Sequence, residues 1–385
     1  MNNILKSIYY LVAMLLALAQ VVVTAICAAS LIRMNILETW MTCLIIGGAV
    51  VLLILCFIPL FIRKKKLIAL RIICMLISII CIGGGFFAFR YTNALNNLFD
   101  KVTVSETSEP ENAENDITKK PFILYISGSD SHTSVDDPGA RSDVNILAVV
   151  NPVEGKILLV SIPRDTYVQL HGTTGLKDKL THAGINNDIE RSKATLEDFL
   201  DISIDYVAKV SFETVVKVVD ELDGIEIYSD TALNLSAGET AKGKMCNFVE
   251  GKQQVDGDCA LRFARERKSY ERGDKHRGEN QQEVLTGIIN KLASSKDHLL
   301  KLPAILDIAA DSFETTFTRD NITDFMKYQL ASNINWQIES IGLDGVGDML
   351  PTYTYGEGTL LWVMIPDEES LENIKEKIGQ YLSIN

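Results

Sequence analysis

Apolar and polar positions along the chain change rhythm twice. Three long apolar runs come first, Ser7–Ile32, Trp40–Ile62 and Leu67–Phe89, separated only by short polar breaks. At 1.5 Å per helical residue each is long enough to cross a hydrocarbon layer of about 30 Å. The pattern therefore predicts three transmembrane helices within residues 1–95; a cleaved signal peptide, with one shorter apolar core, does not fit. Next comes "KVTVSETSEPENAENDITKK", too acidic and too poor in large apolar side chains to bury a core, which predicts a flexible tether over 96–120.

From Pro121 onward the apolar runs shorten. "PFILYISG", "DVNILAVV" and "GKILLVSI" are bounded by Gly, Asp and Pro and predict strands buried on both faces; "GIEIY" predicts the next strand and "TLLWVMI" another near the end. Helical periodicity marks "SFETVVKVVDEL", opened by Ser211, then "VDGDCALRFARERK", "ENQQEVLTGIINKL", "ITDFMKYQLASNI" and "SLENIKEKIGQYL". Strands alternating with helices predict one α/β domain over residues 121–385, with a sheet between helices on both faces.

Charge divides the chain at the same place. Residues 1–95 carry eight Lys or Arg against one acid, Glu38, a balance of +7; the whole chain is −13, which leaves −20 (−13 minus +7) for the remainder. The basic cluster Arg63, Lys64, Lys65 and Lys66 lies between the second and third apolar runs. It predicts a cytoplasmic loop, a cytoplasmic N-terminus and a C-terminal domain outside the cell membrane. Cys246 and Cys259 stand outside the apolar runs, and an exterior compartment makes a disulfide between them the expectation.

Charged residues collect at three strand ends: Asp130, Arg141 and Asp143 around "SGSDSHTSVDDPGARSDVNIL", Arg164 and Asp165 in "SIPRDT", and the cationic stretch "ARERKSYERGDKHRGENQQ". In α/β proteins that edge is where sites are built. Several guanidinium groups in one pocket repel one another unless an anion compensates them, and a diphosphate suits them bidentately. Two carboxylates beside a diphosphate make sense as ligands of Mg²⁺ or Mn²⁺. No P-loop, G-x-S-x-G or H-E-x-x-H motif is present, and the five His lack zinc-ligand spacing. His182 is expected to order a loop, and His276 to border the basic stretch. A strongly acidic domain outside the membrane excludes a nucleic-acid partner.

"RSDVNIL", "SIPRDT", "DKLTHAG", "VDELDGIEI" and "ALRFARERKSYERGDKHRGENQQ", in that order, resemble successive signatures of the LytR-CpsA-Psr family over roughly residues 121–300. The three apolar runs resemble its capsule-associated, CpsA-like branch, with no accessory domain between membrane and catalytic domain. The resemblance implies a three-layer α-β-α domain with a central mixed sheet and an apolar tunnel for a lipid tail. It implies a Mg²⁺-dependent phosphotransferase that moves a glycopolymer, capsule polysaccharide or teichoic acid, from a polyprenyl diphosphate carrier at the lipid surface to peptidoglycan through a phosphodiester. Asp130 and Asp143 would hold the metal; Arg141, Arg164, Arg265, Arg267, Arg277, Gln281 and Lys179 would grip the diphosphate. Arg265 and Arg267 would converge from a helix end loosening near Ser269, with Gly273 and Gly278 folding the loop back and Gln281 opening the next helix. The general base is unassigned, Asp143 being one choice. The rival readings are a hydrolase of the same carrier and a binding or regulatory protein without transfer.

Overall fold

In the computed structural model the chain forms two compact units, Met1–Asn97 and Leu98–Asn385. The structure describes residues 3–34, 39–61, positions 73, 76, 77, 79–87, 89 and 90, and then 116–129, 142–237, 243–295, 305, 313–332 and 334–384. Asp130, Arg141 and most of the expected tether lie outside the described residues.

The first unit is helical. α1 spans Asn3–Met34 and α2 Thr39–Phe61, and they pack on each other. The described positions of the third run are helical too, and Gly85 faces Val23 so closely that a Cβ there would lie 2.1 Å from its Cγ1. Among the described residues no helix is long and apolar enough to cross a membrane, so the three expected spans are not shown by the structure.

The second unit is built on a six-stranded mixed sheet in the order β11-β6-β1-β2-β3-β12. These strands are β1 Phe122–Ser129, β2 Ser142–Asn151, β3 Lys156–Ser161, β6 Tyr206–Ser211, β11 Phe313–Thr315 and β12 Gln337–Gly342. β2 runs antiparallel to β1 and β3, while β6 and β12 run parallel to β1 and β3 respectively. Successive side chains of a strand point to opposite faces. Ile123, Tyr125, Leu147, Val149, Leu158 and Val160 accordingly form one core with α3 (Ile189–Leu200) and α8 (Glu368–Leu382). Phe122, Ile146, Ala148, Val150 and Leu159 form another, against α6 (Asp274–Ser294) and α7 (Arg319–Ser332). Each such fully buried aliphatic side chain contributes about 1.5–3 kcal/mol. Three layers result, with the sheet buried on both faces.

Ile117, inside the expected tether, is only 4% exposed and packs in the second of these cores, so the folded body starts before Pro121. A third core joins α4 (Phe212–Glu221), capped by Ser211, and α5 (Gly257–Ala264) to β7 (Ile225–Ser229) and β10 (Gly251–Val255). Cys246, on β9 (Met245–Phe248), is bridged to Cys259 in the first turn of α5, and β9 pairs with β8 (Leu233–Ser236). Two further hairpins complete the unit: β4 (Tyr167–Val168) with β5 (Asp178–Lys179), and β13 (Gly345–Thr352) with β14 (Gly356–Pro366).

Candidate active site

Strand directions put the C-terminal ends of β1, β3, β6 and β12 and the N-terminal end of β2 on one edge of the sheet. The chemistry gathers there. Asp143 opens β2, and Arg164 sits in the turn after β3, where the Pro163 carbonyl accepts from Thr166 N at 3.1 Å and Oγ1 at 2.6 Å. The Arg164 carbonyl accepts from Thr181 N at 2.9 Å, which ties this turn to the β5 segment.

α6 reaches the same edge. Gly273, at φ 49°, turns the chain into it, and Gly278 lies against β3 so closely that a Cβ would fall 2.6 Å from Ser161 Oγ. Gly278 therefore serves helix packing and not a loop. Gln282 is buried and donates from Nε2 to the carbonyls of Leu159 (2.8 Å) and Ile341 (2.7 Å), which fastens α6 across β3 and β12. The helix begins at Asp274, so Gln281 lies two turns inside it and not at its start.

Three guanidinium groups surround Asp274: Arg277 at 3.3 Å, Arg267 at 3.4 Å and Arg164 at 4.0 Å. All three contacts are longer than a charge-assisted hydrogen bond of about 2.7–2.9 Å. Arg164 makes its short bond elsewhere, to Asp143 at 2.7 Å, with Asp165 at 3.5 Å. Lys179 Nζ holds Asp165 from the other side at 2.6 Å. Burial works against the charge on Arg164, but the Asp143 bond and the fields of Asp143, Asp165 and Asp274 outweigh it and raise its pKa. Arg277 goes the other way: burial lowers its pKa, and the neighbouring Arg164 and Arg267 add to this against Asp274 and Asp143. Its side chain is only 13% exposed. A guanidinium this enclosed, held by long contacts to one shared carboxylate, favours an anion that can supply short bonds.

The structure thus brings Arg164, Arg267, Arg277, Asp143 and Lys179 together. Arg265 follows the last residue of α5, and its guanidinium lies 5.4 Å from the Phe212 ring centre. The helix therefore stops at Ala264, ahead of the expected loosening near Ser269. Other cations of the stretch have their own acids: Arg262 pairs with Glu266, Arg272 holds Glu279 bidentately at 2.6 and 2.7 Å, and Lys275 pairs with Asp344. His276 is buried and stacks on Tyr270, ring centres 3.4 Å apart. His182 Nδ1 bonds Asp178 at 2.6 Å, and the same carboxylate accepts from Thr354 N at 2.8 Å and Oγ1 at 2.5 Å, tying loops together. Carboxylate oxygens are the right donors for a hard divalent ion. Among the described residues, however, no three potential metal ligands converge.

Sequence reasoning missed Asp274 as a member of the site; its spacing of three from Arg277 was the available signal. It also missed the cavity of about 590 Å³ that runs from Asp165, Arg267 and Asp274 to Gly345, Gly347 and Trp362. A second cavity, about 390 Å³, lies between sheet and helices. Leu124, Ile126, Ala148, Leu285, Ile289 and Phe325 are among its walls, and Gln329 is the one polar side chain among the described residues that line it.

The model of the LytR_cpsA_psr family matches residues 88–378. The chain belongs to this family. Its relatives include TagU of Halalkalibacterium halodurans, named a polyisoprenyl-teichoic acid–peptidoglycan teichoic acid transferase, 28% identical over 84% of this chain and 100% of that protein. The Bacillus subtilis TagU of the same name is 30% identical over 83% of this chain and 98% of its own. Among solved LytR_cpsA_psr structures, TagT bound to LIIa-WTA is 26% identical with a TM-score of 0.56, over 74% of this chain and 99% of that one. The B. subtilis TagV crystal structure is 26% identical with a TM-score of 0.56, over 69% and 99%. These relatives carry the family and the α/β fold with its central mixed sheet. The CpsA-like branch expected from the three apolar runs is not represented among them.

Proposed function

We propose that this protein transfers a glycopolymer from a polyprenyl diphosphate carrier to peptidoglycan and leaves a phosphodiester link. One observation carries the reading: a single helix, α6, joins the two halves of such a donor's site. Its first turn holds Asp274 and Arg277 among the guanidiniums, and about two and three turns further on Leu285 and Ile289 line the apolar cavity. From Arg277 to Leu285 is about 12 Å along the axis. A diphosphate with an apolar tail has that pattern of charge followed by hydrocarbon. The relatives' names point to teichoic acid as the polymer class, ahead of capsule polysaccharide.

In the transfer, an acceptor hydroxyl oxygen bonds to the phosphorus that carries the glycan. The phosphoanhydride bond breaks, polyprenyl phosphate leaves with the electron pair, and the hydroxyl proton passes to a base. Arg164, Arg267 and Arg277 would stabilise the charge that develops on the phosphoryl oxygens and the departing phosphate, in a setting already organised by Asp143, Asp165 and Asp274. Asp143, with Asp130, would hold Mg²⁺, which supplies further charge neutralisation when bound.

Membrane anchoring with the larger unit outside the cell belongs to the same proposal. It is supported by the apolar surface of the helical unit, where α2 carries no charge and Leu15, Leu44 and Ile54 face outward.

The test uses the full chain in detergent with donors whose polyprenyl tails differ in length. The wild type is expected to favour long tails at least tenfold in kcat/KM, and Ala293→Phe, which fills the apolar cavity, to lose that preference while still turning over short-tailed donors. Equal rates with all tail lengths in the wild type would contradict the reading.

A further inference from the structure

The larger cavity extends beyond the guanidinium cluster to the β13/β14 hairpin, which the transfer reading leaves unused. Gly345, Gly347, Trp362 and Met364 share one face of this hairpin, and all four line the cavity. Trp362 is 47% exposed. Its indole lies across Gly347: a Cβ there would come within 2.7 Å of Nε1 and 2.9 Å of Cε2 and Cζ2. Glycine at 347 thus lets a large aromatic ring lie flat along a strand at the cavity wall.

The polar walls set the ligand's charge. Arg267, Arg272 and Lys275 face Asp165, Glu271, Asp274 and Asp344 across the same space, three cations against four carboxylates. Arg272 and Lys275 are already paired, with Glu279 and Asp344. Away from the guanidinium cluster these walls carry no surplus of positive charge and suit a neutral, hydroxyl-rich group, whose O–H donors carboxylates accept and whose C–H face rests on an aromatic ring.

We propose that Trp362 is the platform of an acceptor subsite that binds a neutral pyranose of the peptidoglycan glycan. The inference rests on the transferase reading and deepens it. Asp165, Arg267 and Asp274 line the same cavity as Trp362, so a sugar seated on Trp362 shares one space with the edge of the guanidinium cluster that holds the donor's diphosphate. Asp344, half-exposed and held by Lys275, and Glu271 fix that sugar by hydrogen bonds.

The test separates donor from acceptor in full-chain kinetics, using a polyprenyl-diphosphate-linked glycan and a neutral N-acetylhexosamine oligosaccharide. Trp362→Ala is expected to raise KM for the oligosaccharide about tenfold, the worth of one well-packed aromatic contact, with KM for the donor unchanged. Trp362→Tyr should recover most of the loss. Gly347→Ala, which keeps the tryptophan but pushes it off the strand, should reproduce the Trp362→Ala defect, and thermal melts of all three establish that they fold. An unchanged acceptor KM in both Trp362→Ala and Gly347→Ala overturns the subsite, as does a rise in donor KM alone, which would make this a donor-sugar site. A wild type that transfers nothing defeats the function reading instead.

Discussion

Arg277 and Arg267 reach the same carboxylate from opposite exposures. Arg277 is enclosed and its charge is opposed by burial, whereas Arg267 is 46% exposed and water screens what it contributes. Arg277→Ala should therefore lower kcat/KM for transfer roughly 100-fold or more, as removal of a preorganised charge does, and Arg267→Ala about tenfold; initial rates check both. Arg267 and Arg277 stood out in the sequence as cations crowded into an acidic domain, Arg164 as a charge at the end of "SIPRDT", and the family resemblance placed the three at one diphosphate. Gln281 and Gln282 show the limit of that reading. They are adjacent and identical, yet one is fastened to two strand carbonyls and the other is not, and the difference is helix phase, set by a start at Asp274 that the cationic pattern concealed.

Elements hold this site through a few ties that can be cut one at a time. Burial alone would raise the pKa of Asp178, but its bonds from His182 and Thr354 outweigh burial and lower it. A lowered carboxylate stabilises the fold fully above its unfolded pKa of about 3.9 and loses that contribution as pH falls through the lower folded value. The difference in urea midpoint between wild type and Asp178→Asn should therefore be largest near pH 7 and shrink below about pH 4; a difference independent of pH would contradict the assignment. The Cys246–Cys259 bridge closes a loop with a sequence separation of 13. Removing both thiols should cost about 3 kcal/mol, read as a lower Tm that a reductant reproduces in the wild type. Long strands and helices were legible from their periods of two and 3.6. β4, β5, β8 and β9 are two to four residues long, too short for a period to register. β14 was legible as "TLLWVMI", but its partner β13 escaped for another reason: Val346 and Met349 are exposed, so its pattern does not divide into an inside and an outside.

For the whole molecule, one helical unit precedes one three-layer unit, a division that the composition shift near residue 95 had already indicated. What composition could not supply was convergence: 110 positions separate Arg164 from Asp274, and the order β1-β2-β3-β12 with α6 laid across it brings them together. The central claim is that this convergence performs transfer. Full-chain protein, a polyprenyl-diphosphate-linked glycan and peptidoglycan are incubated with Mg²⁺, beside Arg277→Ala, and sugar phosphate bound to the peptidoglycan is measured by mass spectrometry. The account predicts covalent attachment by the wild type and its loss in Arg277→Ala. Carrier cleavage without attachment, or donor binding with neither, would contradict it.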